Sequence, residues 1–132
     1  MSDKVQIRVR YSETDKMGYV YYARYLEYFE MARTEYIRKR GKSYSEIEKE
    51  GYLLPVHEVW VKYKKPAHYD DFLTIETQLS SVGKASLKFQ YLVHNEEGEI
   101  IAEGMTKLAL LNKEGKIVPF PEEIRQKLLL TT

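Results

Sequence analysis

The sequence predicts an α+β fold in which a curved antiparallel β-sheet wraps around one long central α-helix. Two observations carry that expectation. One strand-like segment is followed by a helical period over about residues 22–40, and at least four alternating segments then follow between residues 58 and 110. Short turns separate those later segments, as antiparallel hairpins require. Bringing the first strand back beside the others lets the sheet curl around the helix.

Each element has its own signal. Over residues 4–11, Val5, Ile7, Val9 and Tyr11 alternate with Gln6, Arg8 and Arg10, which is the period of a strand. Residues 12–18 (Ser-Glu-Thr-Asp-Lys-Met-Gly) break that period with cap and turn residues. From Tyr22 the steps become three and four: Tyr22, Tyr25, Leu26, Phe29, Ala32, Tyr36 and Ile37 share a helical face. Tyr28 and Met31 lie off that stripe and widen the apolar surface. Gly41, following Arg38, Lys39 and Arg40, marks the stop. Ser43 with Glu46 has capping-box spacing for a short helix to about Lys49.

Four strands are expected next. Val59, Val61 and Tyr63 alternate with Glu58, Trp60, Lys62 and Lys64; Leu73, Ile75, Thr77 and Leu79 form a second period of two. Ser80, Ser81, Val82 and Gly83 punctuate before Ala85, Leu87, Phe89, Tyr91 and Val93. The turn Asn95-Glu96-Glu97-Gly98 leads into Ile100, Ala102, Gly104, Thr106, Leu108 and Leu110. Pro121 suits the first turn of a closing helix near residues 121–129. No repeat, linker or low-complexity stretch divides the chain, so a single domain over residues 1–132 is expected.

Composition narrows the function. Hydrophobic residues are 43% and charged residues 31% of the 132, a globular balance rather than a disordered one. No apolar run approaches the ~20 residues of a membrane-spanning helix, and Met1-Ser2-Asp3-Lys4 lacks the apolar core of a signal peptide. Cysteine is absent, which removes disulfides, thiolate ligands and a cysteine nucleophile. A cytoplasmic protein is the simplest expectation. A formal net charge of +1 argues against bulk nucleic-acid binding. His57, His68 and His94 stand in no metal-ligand spacing, and no G-x-S-x-G elbow surrounds any serine.

Chemistry concentrates in residues 11–33, which read Tyr-Ser-Glu-Thr-Asp-Lys-Met-Gly-Tyr-Val-Tyr-Tyr-Ala-Arg-Tyr-Leu-Glu-Tyr-Phe-Glu-Met-Ala-Arg. Asp15 precedes the long helix by a few residues, so its carboxylate is expected near a helix N-terminus. Unpaired N–H groups there carry about half a positive charge. Gly18 would let backbone approach a ligand with no side chain in the way. Thr14-Asp15, Gly18, Tyr21, Tyr22, Tyr25 and the run to Glu30, Ala32 and Arg33 resemble the signature of the hot-dog acyl-CoA thioesterases. The likeness is to the branch of the 4-hydroxybenzoyl-CoA and Tol-Pal-associated enzymes. Lys65-Pro66-Ala67 with Asp70 or Asp71, and Gly83-Lys84-Ala85-Ser86, resemble the family too.

That resemblance implies hydrolysis of acyl-CoA or aryl-CoA thioesters, with no metal and no organic cofactor. Asp15 is then the catalytic carboxylate, as base or as nucleophile, and the backbone N–H of Tyr22 polarises the carbonyl. Gly18, Tyr21, Tyr25, Lys65, His68, Lys84 and Ser86 are the expected substrate-binding residues. In the family the turn holding Lys84 and Ser86 meets the nucleotide of CoA, and a basic rim at Lys65 suits its phosphates. Many short-chain enzymes of the family carry His where Tyr22 stands, so this chain lacks that imidazole. The family also implies a homodimer, with a tetramer built from two dimers.

Plainer readings of the same residues stand beside these. Asp15 suits a helix cap, the tyrosines suit core and tunnel wall, and Lys62, Lys64 and Lys65 suit a solvated strand face. Glu30 and Arg33 have ion-pair spacing. At the level of function, the alternative is a non-catalytic hot-dog protein that holds acyl-CoA or acyl carrier protein. A hydratase of the same superfamily pairs Asp with His in a different motif, and residues 11–40 contain no His.

Overall fold

Strand β1 (Asp3–Arg8) opens the structure, a computed structural model that describes residues 2–41 and 44–129. A 3₁₀ turn (Tyr11–Glu13) leads through a loop to helix α1 (Arg24–Lys39) and the short helix α2 (Tyr44–Lys49). Strands β2 (Val56–Tyr63), β3 (Phe72–Val82), β4 (Ser86–His94) and β5 (Ile100–Ala109) follow, and α3 (Glu122–Leu129) closes the chain. The five strands form one sheet in the order β1-β3-β4-β5-β2, every pair antiparallel. With α1 packed on one face, this is the hot-dog layout that the resemblance implies.

The core lies between α1 and that sheet face. Tyr25, Tyr28, Phe29, Ala32, Tyr36 and Ile37 turn inward from α1 to meet Ile75, Phe89, Tyr91 and Val93. Phe29 stacks on Tyr91 with ring centroids 4.3 Å apart, and Tyr36 meets Phe89 edge-on at 5.5 Å. Each such ring buried is worth roughly 1.5–3 kcal/mol of transfer free energy. The helix stops where Gly41 takes φ +91°. Arg40 does not project into solvent from the last turn. It folds back, 5% exposed, to pair with Asp3 of β1 at 2.8 Å beneath the Tyr36 ring.

Several local expectations differ from the structure. Tyr11 is 76% exposed in the 3₁₀ turn, because the strand ends at Arg8. Tyr22 precedes the helix rather than joining its stripe; Leu26 and Met31 face solvent, while Tyr28 is buried. Residues 80–82 do not end a strand: β3 runs to Val82 across a register shift between Leu79 and Ser81. Strand β2 does not alternate between core and solvent, being exposed along almost its whole length at the sheet edge. The expected capping box of Ser43 with Glu46 lies, at Ser43, outside the described residues. Among the described residues no helix is long and apolar enough to cross a membrane.

Candidate active site

The loop between β1 and α1 is held by its own backbone and two carboxylates. Glu13 accepts the Arg10 amide at 2.9 Å and the Tyr28 hydroxyl at 3.1 Å, and its carbonyl accepts the Tyr21 amide at 2.8 Å. Burial pushes the Tyr28 hydroxyl pKa up first, and the nearby Glu13 charge adds to it. Both keep that hydroxyl a donor.

Asp15 organises the tip of the loop. Its Oδ1 accepts the amides of Met17 at 2.9 Å and Tyr19 at 3.2 Å, an Asx-type turn. Its backbone N–H and C=O bond to Tyr19 and Gly18, and Gly18 takes φ +82°, a conformation a Cβ would strain. Val20 then bonds to Ala67, pinning the tip against the segment before β3. One carboxylate oxygen is therefore fixed by two amides, which leaves Oδ2 without those restraints.

Asp15 is half-buried and lines a crevice of about 330 Å³ together with Met17, Tyr19, Tyr22, Tyr25 and Tyr63. Val20, Pro66, Lys64 and Lys65 complete its wall. The helix starts in this crevice. Arg24 donates to Tyr21, but among the described residues the amides of Tyr22 and Ala23 have no backbone acceptor. Unpaired amides at a helix start favour negative charge. A carboxylate, the residues that lead into a helix and an aromatic wall thus share one opening.

The lysines there are already engaged. Lys64 pairs with Glu103 at 2.9 Å, and Lys65 is hydrogen-bonded to Glu99. That bond is the main reason the Glu99 carboxyl sits below its ordinary pKa, with Asn95 second. An anionic ligand at this rim would have to compete with Glu99 for Lys65.

The remaining expected residues divide. Tyr21 packs on the Tyr22 ring at 4.8 Å without lining the crevice. His68 stands behind it, edge-on to Tyr19 at 5.4 Å and with Nδ1 3.7 Å from Asp71. Lys84 and Ser86 lie elsewhere. Ser86 pairs with Ala109, whereas Tyr63 pairs with Ala102. At ~3.3 Å per residue those two β5 positions are roughly 23 Å apart, so one chain separates this turn from Asp15.

Tyr63 and Lys64 belong to the crevice but were not expected there. The period of two on their segment reads as a strand and gives no hint of which end meets the Asp15 loop. A larger hollow of about 530 Å³ lies across the sheet, lined by residues such as Trp60, Gln78, Lys88 and Met105. Among the described residues no helix contributes to its lining, so size alone does not mark the site.

Comparison with known proteins identifies the family of the chain. The profile of the thioesterase-like superfamily matches residues 9–128. The chain is 37% identical over 111 residues to the putative acyl-CoA thioesterase YneP of Bacillus subtilis, covering 84% of this chain and 80% of that one. It is 37% identical over 123 residues to the acyl-CoA thioesterase YbgC of Haemophilus influenzae, covering 90% and 88%. A crystal structure of DHNA-CoA thioesterase from Staphylococcus aureus superposes with a TM-score of 0.87 at 32% identity, covering 96% of this chain and 90% of the other.

Proposed function

This chain belongs to the thioesterase-like superfamily and is a thioester hydrolase, and from that premise we propose that it cleaves acyl-CoA or aryl-CoA thioesters with Asp15 as catalytic carboxylate. The branch containing the 4-hydroxybenzoyl-CoA and Tol-Pal-associated enzymes is where we would set it. The observation that carries the reading is the shared crevice: Asp15 lines the opening at which α1 begins, beside the Tyr22 and Ala23 amides, which have no backbone acceptor among the described residues.

The chemistry follows from that arrangement. A thioester carbonyl docked against those amides gains electrophilicity, and the negative oxygen of the tetrahedral intermediate gains more. In one route Asp15 takes a proton from water as the water oxygen attacks the carbonyl carbon. The intermediate then collapses, the C–S bond breaks and the thiolate leaves to take up a proton. In the other route Asp15 itself attacks, thiolate leaves, and water hydrolyses the resulting mixed anhydride. Single turnover in isotopically heavy water tests the second route: label in the Asp15 carboxylate identifies an anhydride opened by water at the aspartyl carbonyl, a result that the general-base route does not give.

Asp15→Asn is the direct test, because an amide oxygen can still accept the Met17 and Tyr19 amides and keep the turn. Thiol release should fall by roughly 10²–10⁴-fold with the fold intact. A variant with wild-type turnover refutes the assignment.

A homodimer is part of the same proposal. Strand β2 is an edge strand whose Val56, Val59, Trp60 and Tyr63 are 40–49% exposed. Unpaired apolar edges of this kind are covered in stable proteins. Antiparallel pairing of two β2 edges about a two-fold axis would set the Tyr63 end of one copy near the Lys84–Ser86 end of the other. That supports Lys84 and Ser86 as CoA contacts across the interface, with a tetramer of two such dimers. Light scattering should give at least a dimer, and Val59→Lys should yield monomer with lost activity. A monomer that still turns over substrate refutes the shared site.

A further inference from the structure

We propose that Tyr63 is a positioning residue, whose hydroxyl fixes the Tyr22–Ala23 peptide unit and with it the direction of the Ala23 amide donor at the start of α1. The inference rests on the functional reading above and adds to it a residue outside the Asp15 loop.

Tyr63 donates its hydroxyl to the Tyr22 carbonyl oxygen at 2.9 Å. Among the described residues no backbone amide reaches that carbonyl. The Tyr22 carbonyl and the Ala23 N–H belong to one planar peptide unit, so holding the oxygen sets the direction of the N–H. The preceding unit is fixed from the other side, since the Tyr21 amide bonds to Glu13 and the Tyr21 carbonyl accepts Arg24. Together these bonds bracket Tyr22. Its own side chain cannot do this work, being 61% exposed.

The anchor is itself rigidly placed. Tyr63 ends β2, paired with Ala102 of β5. Its ring stands edge-on to Tyr22 at 6.4 Å and lies at 66° to Tyr25 at 5.4 Å, lining the same crevice as Asp15. Burial raises the Tyr63 pKa, which keeps the hydroxyl protonated and donating at neutral pH. Donors that stabilise an oxyanion act only if they are aimed before the charge develops. A small misdirection is costly in rate, not in affinity.

Tyr63→Phe keeps the ring contacts and deletes only the hydrogen bond. We expect kcat to fall roughly ten-fold with KM changed less than about two-fold, the pattern of a contact that acts in the transition state. The melting temperature should hardly move. A substrate whose thioester C=O is replaced by C=S is less sensitive to oxygen-directed donors, so its rate relative to the normal thioester should rise several-fold. A separate readout needs no turnover: the ¹⁵N order parameters at Tyr22 and Ala23 should drop from about 0.85 toward 0.6 in the variant. Unchanged kcat and C=O/C=S ratio overturn the proposal, as does a loss confined to KM or explained by unfolding. Should the wild type release thiol from no thioester, the functional reading falls. The order parameters then decide alone, and unchanged values at Tyr22 and Ala23 refute the anchor.

Discussion

Gly104→Ala tests whether α1 is seated on the sheet as tightly as the structure describes. Gly104 lies on β5 between Val61 and Tyr91, facing the helix. A Cβ built there would overlap Cε2 and Cζ of Phe29 and lie 3.3 Å from Cδ2. Carbon atoms in good contact are about 3.5–4.0 Å apart, so the ring would have to retreat by roughly an ångström. It has nowhere to go. Its other neighbours include Tyr91, stacked at 4.3 Å, and the Tyr91 hydroxyl is held by Thr106 at 2.6 Å. Overpacking of this kind costs about 1–3 kcal/mol, offset by the ~0.5–1 kcal/mol that replacing a strand glycine returns. The net loss is about 1–2 kcal/mol, or roughly 3–10 °C in Tm. Urea unfolding should show a lower midpoint at constant slope. Phe29→Leu, with a smaller side chain, should absorb the added methyl, so the double variant should be more stable than the sum of the singles by at least ~0.5 kcal/mol. A Gly104→Ala protein as stable as wild type, or strict additivity with Phe29→Leu, refutes the packing argument.

Two further outcomes follow from buried hydroxyls. Thr77 is 1% exposed and its Oγ1 has no hydrogen-bond partner among the described residues, so Thr77→Val should be neutral or stabilising by up to about 1 kcal/mol in urea titration; a loss beyond 1 kcal/mol would mean the hydroxyl has a partner. Tyr25, Tyr28 and Tyr36 have pKa values raised chiefly by burial, so their contribution is complete below the unfolded value of about 10 and is lost as pH rises through the folded ones. Above about pH 10 the unfolded chain has released protons that the folded one keeps, and stability should fall by up to about 1.4 kcal/mol per pH unit for Tyr25 and for Tyr28, whose shifts are large. Urea midpoints at pH 9 and 11 measure the slope, which Tyr25→Phe and Tyr28→Phe should each reduce; a slope unaffected by both substitutions sinks the assignment.

The sheet and the long helix were legible because their side chains obey one period each. Leu73, Ile75 and Thr77 alternate with outward neighbours and are buried, and Phe29, Ala32, Tyr36 and Ile37 recur as a helix face. Errors cluster where a local bond overrides periodicity. Tyr11 continues the period of β1, yet the Glu13 carboxylate captures the Arg10 amide and turns the chain first. Tyr22 fits the helical stripe, yet the Tyr63 hydroxyl takes its carbonyl and the helix begins two residues later. Neither bond leaves a trace in hydrophobic pattern, since each depends on residues brought together by other contacts.

The site shows the same division, and it also explains the edge strand. Asp15, Gly18 and the start of α1 are neighbours in sequence, so chain order alone brings a carboxylate to a helix N-terminus, and the crevice contains that pair. Tyr63 lies more than forty residues further on and reaches Tyr22 only because β2 crosses back to pair with β5. Val59, Val61 and Tyr63 read as an ordinary half-buried strand, but half-burial needs a partner on one face, and within one chain β2 is exposed along almost its length. A sequence records that a residue is apolar and not which chain covers it. An exposed edge strand therefore has the same hydrophobic pattern as an interior one. The strand that the single chain leaves exposed also carries the tyrosine whose hydroxyl reaches the start of the helix.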